Sequence, residues 1–307
     1  MASTAPRALR LPPLLLRAID GAVLTLLQPE PGRRIDFSAP AGEAALAASD
    51  SVAWRVFRNP LSVFIGGVAA VVLELAEPSV RAGVWEHSSF KSDPLRRLQR
   101  TGLAAMVTVY GPRSMAEAMI DGVVRAHDRV RGHTSAGVSY SANDVRLLDW
   151  VQATASFGFV QAYRHFVRPL DDAEVDRFYA DSQTASALYG ALGAPRSARA
   201  QQHQFERMLD ALEPSDVILE FLAIMRTAPL LPWPLRPLQR LLVRAAVDIL
   251  PVDIRRRLAL GPALGLRAIE RSMLRRAGAW VDRIVLPSSP AAQACRRLGV
   301  TPESLLR

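Results

Sequence analysis

Three side chains that can bind anions or polarise a substrate share one face of a predicted helix. Arg97, Arg100 and Thr101 are three and four residues apart, and such offsets place side chains together on an α-helix. A guanidinium stays protonated in proteins, so a half-buried pair of arginines needs anionic partners such as carboxylates, propionates or oxyanions. A solvated, salt-bridged helix face explains the same spacing and is the more common structure.

His127 is the histidine best placed to hold a metal. It lies at the edge of an apolar stripe on the next predicted helix, with Val123, Val124 and Val130 three or four residues away. A neutral imidazole so placed can ligate iron, as in many haem proteins. A core histidine bonded to a backbone carbonyl is the alternative, which the pattern alone favours. The chain has no HExxH, G-x-S-x-G, P-loop or dinucleotide-binding motif.

The composition predicts a globular, helical chain. Half of the 307 residues are hydrophobic and 22% are charged, and the common residues Ala, Leu and Arg are strong helix formers. The net charge of +9 comes from arginines spread along the chain rather than from a basic stripe, so we expect no nucleic-acid binding. The single cysteine, Cys295, forms no internal disulfide. Pro12 and Pro13 interrupt the N-terminal apolar run, which argues against a signal peptide and predicts a cytoplasmic protein.

Helices must position the candidate side chains. Residues 1–50 predict an irregular N-terminal segment that contains one short apolar helix, Leu14–Leu27. Residues 51–307 predict a single all-α, helical-bundle domain. The longest apolar run, Leu61–Leu73, is shorter than the roughly 20 residues that a membrane-spanning helix needs, and therefore predicts a buried helix.

Several helix starts are legible in the sequence. Asp93 before Pro94 is typical of an N-cap followed by the first helical residue. Ser114 and Glu117 match a capping box, and the helix that carries His127 is predicted to run to about Arg131. Two further predicted starts are Asn143-Asp144 and the capping box Asp171–Glu174, whose helix should reach Tyr189-Gly190.

Five sequence blocks, in a consistent order, carry a resemblance to a known family. They are DPLRRLQRT (93–101), VYGP (109–112), HDRVRG (127–132), YSANDVRLLDWVQAT (140–154) and PLDDAEVDRFY (169–179). Over residues 64–212 the chain resembles the catalytic domain of the MpaB and rubber oxygenase (latex-clearing protein) family of haem-b dependent oxygenases. The resemblance implies a helical bundle that encloses one haem b, and an oxidoreductase that uses O₂.

The resemblance also implies roles for individual residues. His127 falls on the axial ligand of the haem iron. Arg97, Arg100 and Thr101 fall on the distal helix, near the expected O₂ site, and Arg131 falls on a basic position suited to a haem propionate. Rubber oxygenases cleave double bonds of polyisoprene and MpaB cleaves a prenyl side chain, so the resemblance implies a small apolar, isoprenoid-like substrate.

Two positions depart from the family pattern. Position 100 is arginine where the rubber enzyme has a lysine able to occupy the sixth iron site, and a guanidinium has no free lone pair to offer. Position 152 is glutamine where many relatives have histidine, which puts in doubt any proton chemistry of that histidine. The sequence places no catalytic carboxylate, and we interpret Glu77 and Glu86 as structural ion-pair partners.

A second functional hypothesis comes from the C-terminal part of the chain. Trp233 precedes a predicted helix with one apolar face between arginines: Leu238, Leu241, Leu242, Ala245 and Ile249, with Arg236, Arg240 and Arg244. A basic amphipathic helix of this kind can lie on an anionic membrane, although a helix that covers the core is more common. The alternative function is therefore a non-catalytic haem-binding or membrane-associated interaction protein.

Overall fold

Helices carry most of the regular structure in a computed structural model, which describes residues 8–9, 11–27, 34–87, 90 and 92–306. The predicted N-terminal loop is thus described only from residue 34. In chain order the helices are α1 (Pro13–Leu27), α2 (Val52–Val56), α3 (Pro60–Ala76), α4 (Pro78–His87), α5 (Pro94–Tyr110), α6 (Arg113–His127), α7 (Val145–Phe166), α8 (Asp172–Asp181), α9 (Gln183–Leu188), α10 (Ala198–Met208), α11 (Asp216–Thr227), α12 (Arg236–Asp248), α13 (Val252–Arg257), α14 (Ala268–Val281) and α15 (Pro290–Arg297). The predicted all-α class is confirmed.

Three predicted helix starts are confirmed by their capping bonds. Asp93 accepts a hydrogen bond from the Arg96 amide at 3.1 Å, and Asp144 accepts one from the Arg146 amide at 2.9 Å. Asp171 and Glu174 form the expected reciprocal capping box. These bonds satisfy amides that the first turn of a helix leaves without partners.

The predicted capping box at Ser114 is wrong. Helix α6 begins at Arg113 without a side-chain cap. The Ser114 amide and hydroxyl instead donate to the Glu43 carboxylate, at 2.6 and 3.1 Å. A partner 71 residues away in the sequence thus replaces the local one, because the loop before α2 packs against the start of α6.

The predicted end of α6 is also wrong, because the helix stops at His127. Residues Arg131–His133 (β1) then pair antiparallel with Ser139–Ser141 (β2), and Arg131 lies opposite Ser141. The cross-strand bonds replace the helical bonds that the sequence pattern predicted. A similar break at Ser182 separates α8 from α9, where one continuous helix was predicted.

Two long helices, α3 and α7, form the centre of the bundle. They cross closely because glycines meet there: a Cβ atom on Gly66 would lie 2.8 Å from the Gly158 carbonyl oxygen. The Trp150 indole donates to the Leu73 carbonyl at 3.2 Å, which satisfies a buried polar group across the same interface. No single helix among the described residues is long and apolar enough to span a membrane, although α3 and α4, which meet at 111°, pass that test as a pair by length and composition.

The C-terminal helices α11, α12 and α14 pack on this central pair. The apolar face of α12 is buried, with Leu242 2%, Ala245 0% and Ile249 7% exposed. The Arg244 guanidinium forms an ion pair with the Glu270 carboxylate at 2.7 Å. Of the two interpretations of this helix, the membrane surface is wrong and the cover helix is confirmed, because the apolar face lies against the protein core.

Candidate functional site: a cleft between the central helices and α5–α6

A half-exposed stripe interrupts the buried surface of the central helix pair. On α3 it comprises Phe64, Gly67, Val71 and Glu74, and on α7 it comprises Gln152, Ala155 and Phe159. The offsets of three and four residues place each set on one helix face. The two sets adjoin, since a Cβ atom on Gly67 would lie 4.0 Å from the Phe159 ring. We call the partly accessible surface along these two stripes the cleft.

Glu74 places a carboxylate at the end of this largely apolar stripe. Burial raises the pKa of Glu74 to about 7, and the nearby Arg97 charge and a side-chain hydrogen bond with Thr154 offset only part of that effect. The side chain retains some accessible surface because it faces the cleft, while the surrounding protein removes most of its hydration. A carboxyl group in this state can gain or lose a proton near neutral pH.

Arg97 connects the central pair to α5. Burial lowers the pKa of its guanidinium, Glu74 opposes this change and Arg100 adds to it. Its Nη1 donates to the Thr101 hydroxyl, which in turn donates to the Arg97 carbonyl at 2.9 Å. Arg97 is half-buried, whereas Arg100 and Thr101 are exposed. Of the three side chains predicted to act together, the structure brings Arg97 and Thr101 into contact and leaves Arg100 towards solvent.

His127 lies at the C-terminal end of α6, close to Arg97. Burial lowers the pKa of His127, which outweighs the opposite effect of the Asn143 amide, and the Arg97 charge lowers it further. The lowered pKa favours the neutral imidazole, which is the form that binds metals. His127 Nδ1 and Asn143 Oδ1 are both buried without a hydrogen-bond partner. The Asn143 Nδ2 group is used elsewhere, donating to the Val124 carbonyl at 3.1 Å and to Asp128 at 2.8 Å.

The remaining candidate residues lie apart from this group or support it structurally. Arg131 is exposed on β1, rather than one helical turn beyond His127 as predicted. Glu77 caps α4 through the Val80 amide at 2.7 Å and pairs with Arg146 at 3.2 Å, as expected of a structural carboxylate. Gln152 donates to the Ser156 hydroxyl at 3.2 Å. Gln152 thus places a polar group on the α7 stripe.

Sequence reasoning missed Glu74 and Asn143. Glu74 was visible only as the charged residue that ends a long apolar run. A charge on a helix that is otherwise apolar is costly to bury unless it has a partner or a function, and that was the available signal. Asn143 was interpreted as part of a helix start, and nothing in its spacing links it to His127.

The fold and the cleft define a class of protein, an all-α domain in which a partly buried histidine, a carboxyl group of raised pKa and an arginine lie close together. Residues 54–283 match the family described as ER-bound oxygenase mpaB/B'/Rubber oxygenase, catalytic domain. The chain belongs to this family of oxygenase catalytic domains.

Two mycobacterial proteins are among its relatives. The uncharacterized proteins Mb2261 of Mycobacterium bovis and Rv2237 of Mycobacterium tuberculosis are each 34% identical over 175 residues, which covers 55% of this chain and 68% of theirs. No solved structure matches the chain significantly.

Proposed function

We propose that this protein is a haem-b dependent oxygenase that acts with O₂ on a small apolar, isoprenoid-like substrate, with His127 as the axial ligand of the iron. Family membership supports the oxygenase class. The observation that carries the cofactor is the His127 imidazole, whose lowered pKa favours the neutral form and whose buried Nδ1 has no hydrogen-bond partner. Porphyrin supplies four nitrogen ligands to its iron, so one protein imidazole suffices to hold it.

The residues around His127 fit such a ligand. A small rotation of either side chain would let His127 Nδ1–H donate to Asn143 Oδ1, joining two atoms that are otherwise buried without partners. That bond would select the tautomer in which Nε2 carries the free lone pair, as outer hydrogen bonds do for metal-binding histidines. The Phe64, Val71 and Phe159 side chains offer the apolar walls that a porphyrin or an isoprenoid chain requires.

When bound, haem supplies the iron that activates O₂. The chain's own contribution is to place charge and a proton source beside it. Arg97 can stabilise negative charge that develops as O₂ is reduced, and Thr101 fixes the orientation of that guanidinium. Glu74, with a pKa of about 7, can hold or release one proton at its carboxyl oxygens. The role of Arg100 near the O₂ site and the role of Arg131 as a propionate partner stay predictions. Both side chains are exposed to solvent, which allows these roles without requiring them.

Reconstitution of the purified chain with haem tests the ligand. The wild-type protein should bind one haem and show a Soret band, and His127→Ala should lose that band or retain haem very weakly while its helical circular dichroism is unchanged. His133→Ala is the matched control, because His133 is an exposed histidine on β1, six residues further along the chain. Haem retention by His127→Ala together with its loss in His133→Ala would refute the assignment.

Product analysis tests the activity separately. Haem-loaded protein is incubated with a panel of isoprenoids under ¹⁸O₂, and oxygen-labelled cleavage products should appear with the wild type. A protein that binds haem through His127 but yields no labelled product from any substrate would support the non-catalytic haem-binding alternative.

A further inference from the structure

Three large apolar side chains are exposed along one face of α14. Ile269, Met273 and Trp280 are 70%, 58% and 46% exposed. Their offsets of four and seven residues place them on one side of the helix, opposite Leu274 and Gly278, which are buried against the protein. Single exposed apolar residues are ordinary, but an aligned set forms a surface suited to another apolar phase.

The same helix forms one wall of a second, basic groove, separate from the cleft described above. A cavity of about 780 Å³ lies between α14 and the C-terminal end of α7, and four arginines line it: Arg164, Arg168, Arg275 and Arg276. Arg276 is three residues from Met273 and four from Trp280, so it lies within the apolar face itself. It is exposed and forms no hydrogen bond or ion pair with the described residues.

Nearby carboxylates do not neutralise this surface. Asp282 is buried and already pairs with Arg58 at 2.7 Å and with Arg168 at 2.8 Å. The only carboxylate within α14, Glu270, is held by Arg244. Asp172 approaches Arg164 at 3.3 Å but is almost fully exposed to solvent. The accessible charge next to the apolar stripe is therefore mainly positive.

We propose that this surface, the α14 face (Ile269, Met273, Arg276 and Trp280), docks the protein on an anionic lipid membrane. The apolar side chains would enter the interface between headgroups and acyl chains, and the arginines would contact lipid phosphates. A second copy of the chain fits this surface less well, because a two-fold contact would place Arg276 against the arginines of the same patch. The proposal is independent of the haem site.

Vesicle sedimentation of the full-length protein tests the surface. The protein should bind vesicles of phosphatidylcholine and phosphatidylglycerol (3:1) and remain in solution with phosphatidylcholine alone, and added NaCl should weaken binding. Arg276→Gln should lower the partition coefficient about fivefold, the effect expected for one arginine near an anionic surface. Trp280→Ala should weaken binding and remove the blue shift of tryptophan fluorescence that vesicles cause.

Two variants serve as matched controls. Trp233 is 78% exposed, more than Trp280, and lies outside the α14 face, so Trp233→Ala should bind as the wild type does. Arg199→Gln removes an exposed arginine on α10 and should also have no effect. Equal losses in the control variants would show a nonspecific charge or tryptophan effect and overturn the proposal.

Other occupants give different results, each of which overturns the proposal. Inorganic phosphate could displace the protein from vesicles better than chloride does at equal ionic strength, while Trp280→Ala binds vesicles normally. That result would indicate a small-anion site. A dimer in light scattering that Trp280→Ala converts to monomer, without vesicle binding, would indicate an interface between two copies. Absence of haem binding would refute the proposed oxygenase and leave the vesicle result unaffected.

Discussion

Replacement of Glu74 by glutamine should change how the stability of the protein depends on pH. Burial raises the pKa of this carboxyl group from 4.5 to about 7 in the folded state. When the pKa of a carboxyl group is higher in the folded state than in the unfolded state, the group contributes its full stabilisation below the unfolded-state pKa. That contribution to the free energy of unfolding is lost as the pH rises through the folded-state pKa. Since one pKa unit corresponds to about 1.4 kcal/mol, Glu74 alone should cost the wild type about 2.5 kcal/mol of unfolding free energy between pH 5 and pH 8.

Urea unfolding of the haem-free protein at these two pH values measures the effect. Every other titrating group is common to both proteins, so the difference between Glu74→Gln and the wild type isolates Glu74. That difference should shift in favour of the variant by about 2–3 kcal/mol on going from pH 5 to pH 8. Glu117→Gln is the control variant, because it makes the same chemical change at a side chain that is 46% exposed on α6.

A constant difference for Glu74→Gln would refute the reasoning. It would mean that the cleft hydrates the carboxylate enough to keep it ionised in the folded protein at pH 5. The proposed proton-handling role of Glu74 would then fail, while the assignment of His127 would remain open to its own test.

Three further results are expected. Arg97→Ala should lower turnover per bound haem by on the order of 100-fold, the usual cost of losing one charge-stabilising contact, with haem content measured by absorbance nearly unchanged. Loss of haem with normal turnover per remaining haem would instead mean that Arg97 holds propionates. Asn143→Leu should weaken haem binding about 10- to 100-fold, measured by the transfer of haem to an apoglobin. Asn143→Asp keeps a hydrogen-bond acceptor for His127 and should not weaken it. Equal haem binding by the two variants would exclude the argument that Asn143 selects the His127 tautomer. Gly158→Ala should lower the free energy of unfolding by about 3 kcal/mol or more, because its methyl group would meet an α3 carbonyl. Gly102→Ala on α5, where the space is open, should be neutral or stabilising in the same urea assay.

Features that depend on a few neighbouring residues could be predicted from the sequence. Asp93, Asp144 and Asp171 each cap the helix that follows them, because the capping oxygen and the amides it binds lie within three residues of one another. The apolar run in α3 predicted a buried helix for a similar reason, since a helix apolar on all sides must be covered by others. The fold class followed from many such local signals.

Features that depend on residues far apart in the sequence were decided by the tertiary structure. Ser114 has a local partner at the right spacing, yet it bonds to Glu43, because the packed loop supplies a carboxylate that the isolated helix lacks. The residues after His127 turn into β1, because Ser139–Ser141 offers cross-strand partners. The apolar faces of α12 and α14 look alike in sequence, and only packing shows that the first is buried and the second exposed.

The residues of the candidate site also fall into those predicted from local spacing and those brought together only by the tertiary structure. The sequence by itself determined that Arg97 and Thr101 share a helix face and that His127 lies on the next helix, since both follow from residue spacing. Only the tertiary structure brought Glu74 from α3 beside Arg97 and Asn143 beside His127. The pKa of Glu74 depends on how much water the surrounding helices exclude, and water exclusion is a property of the packed bundle rather than of any segment.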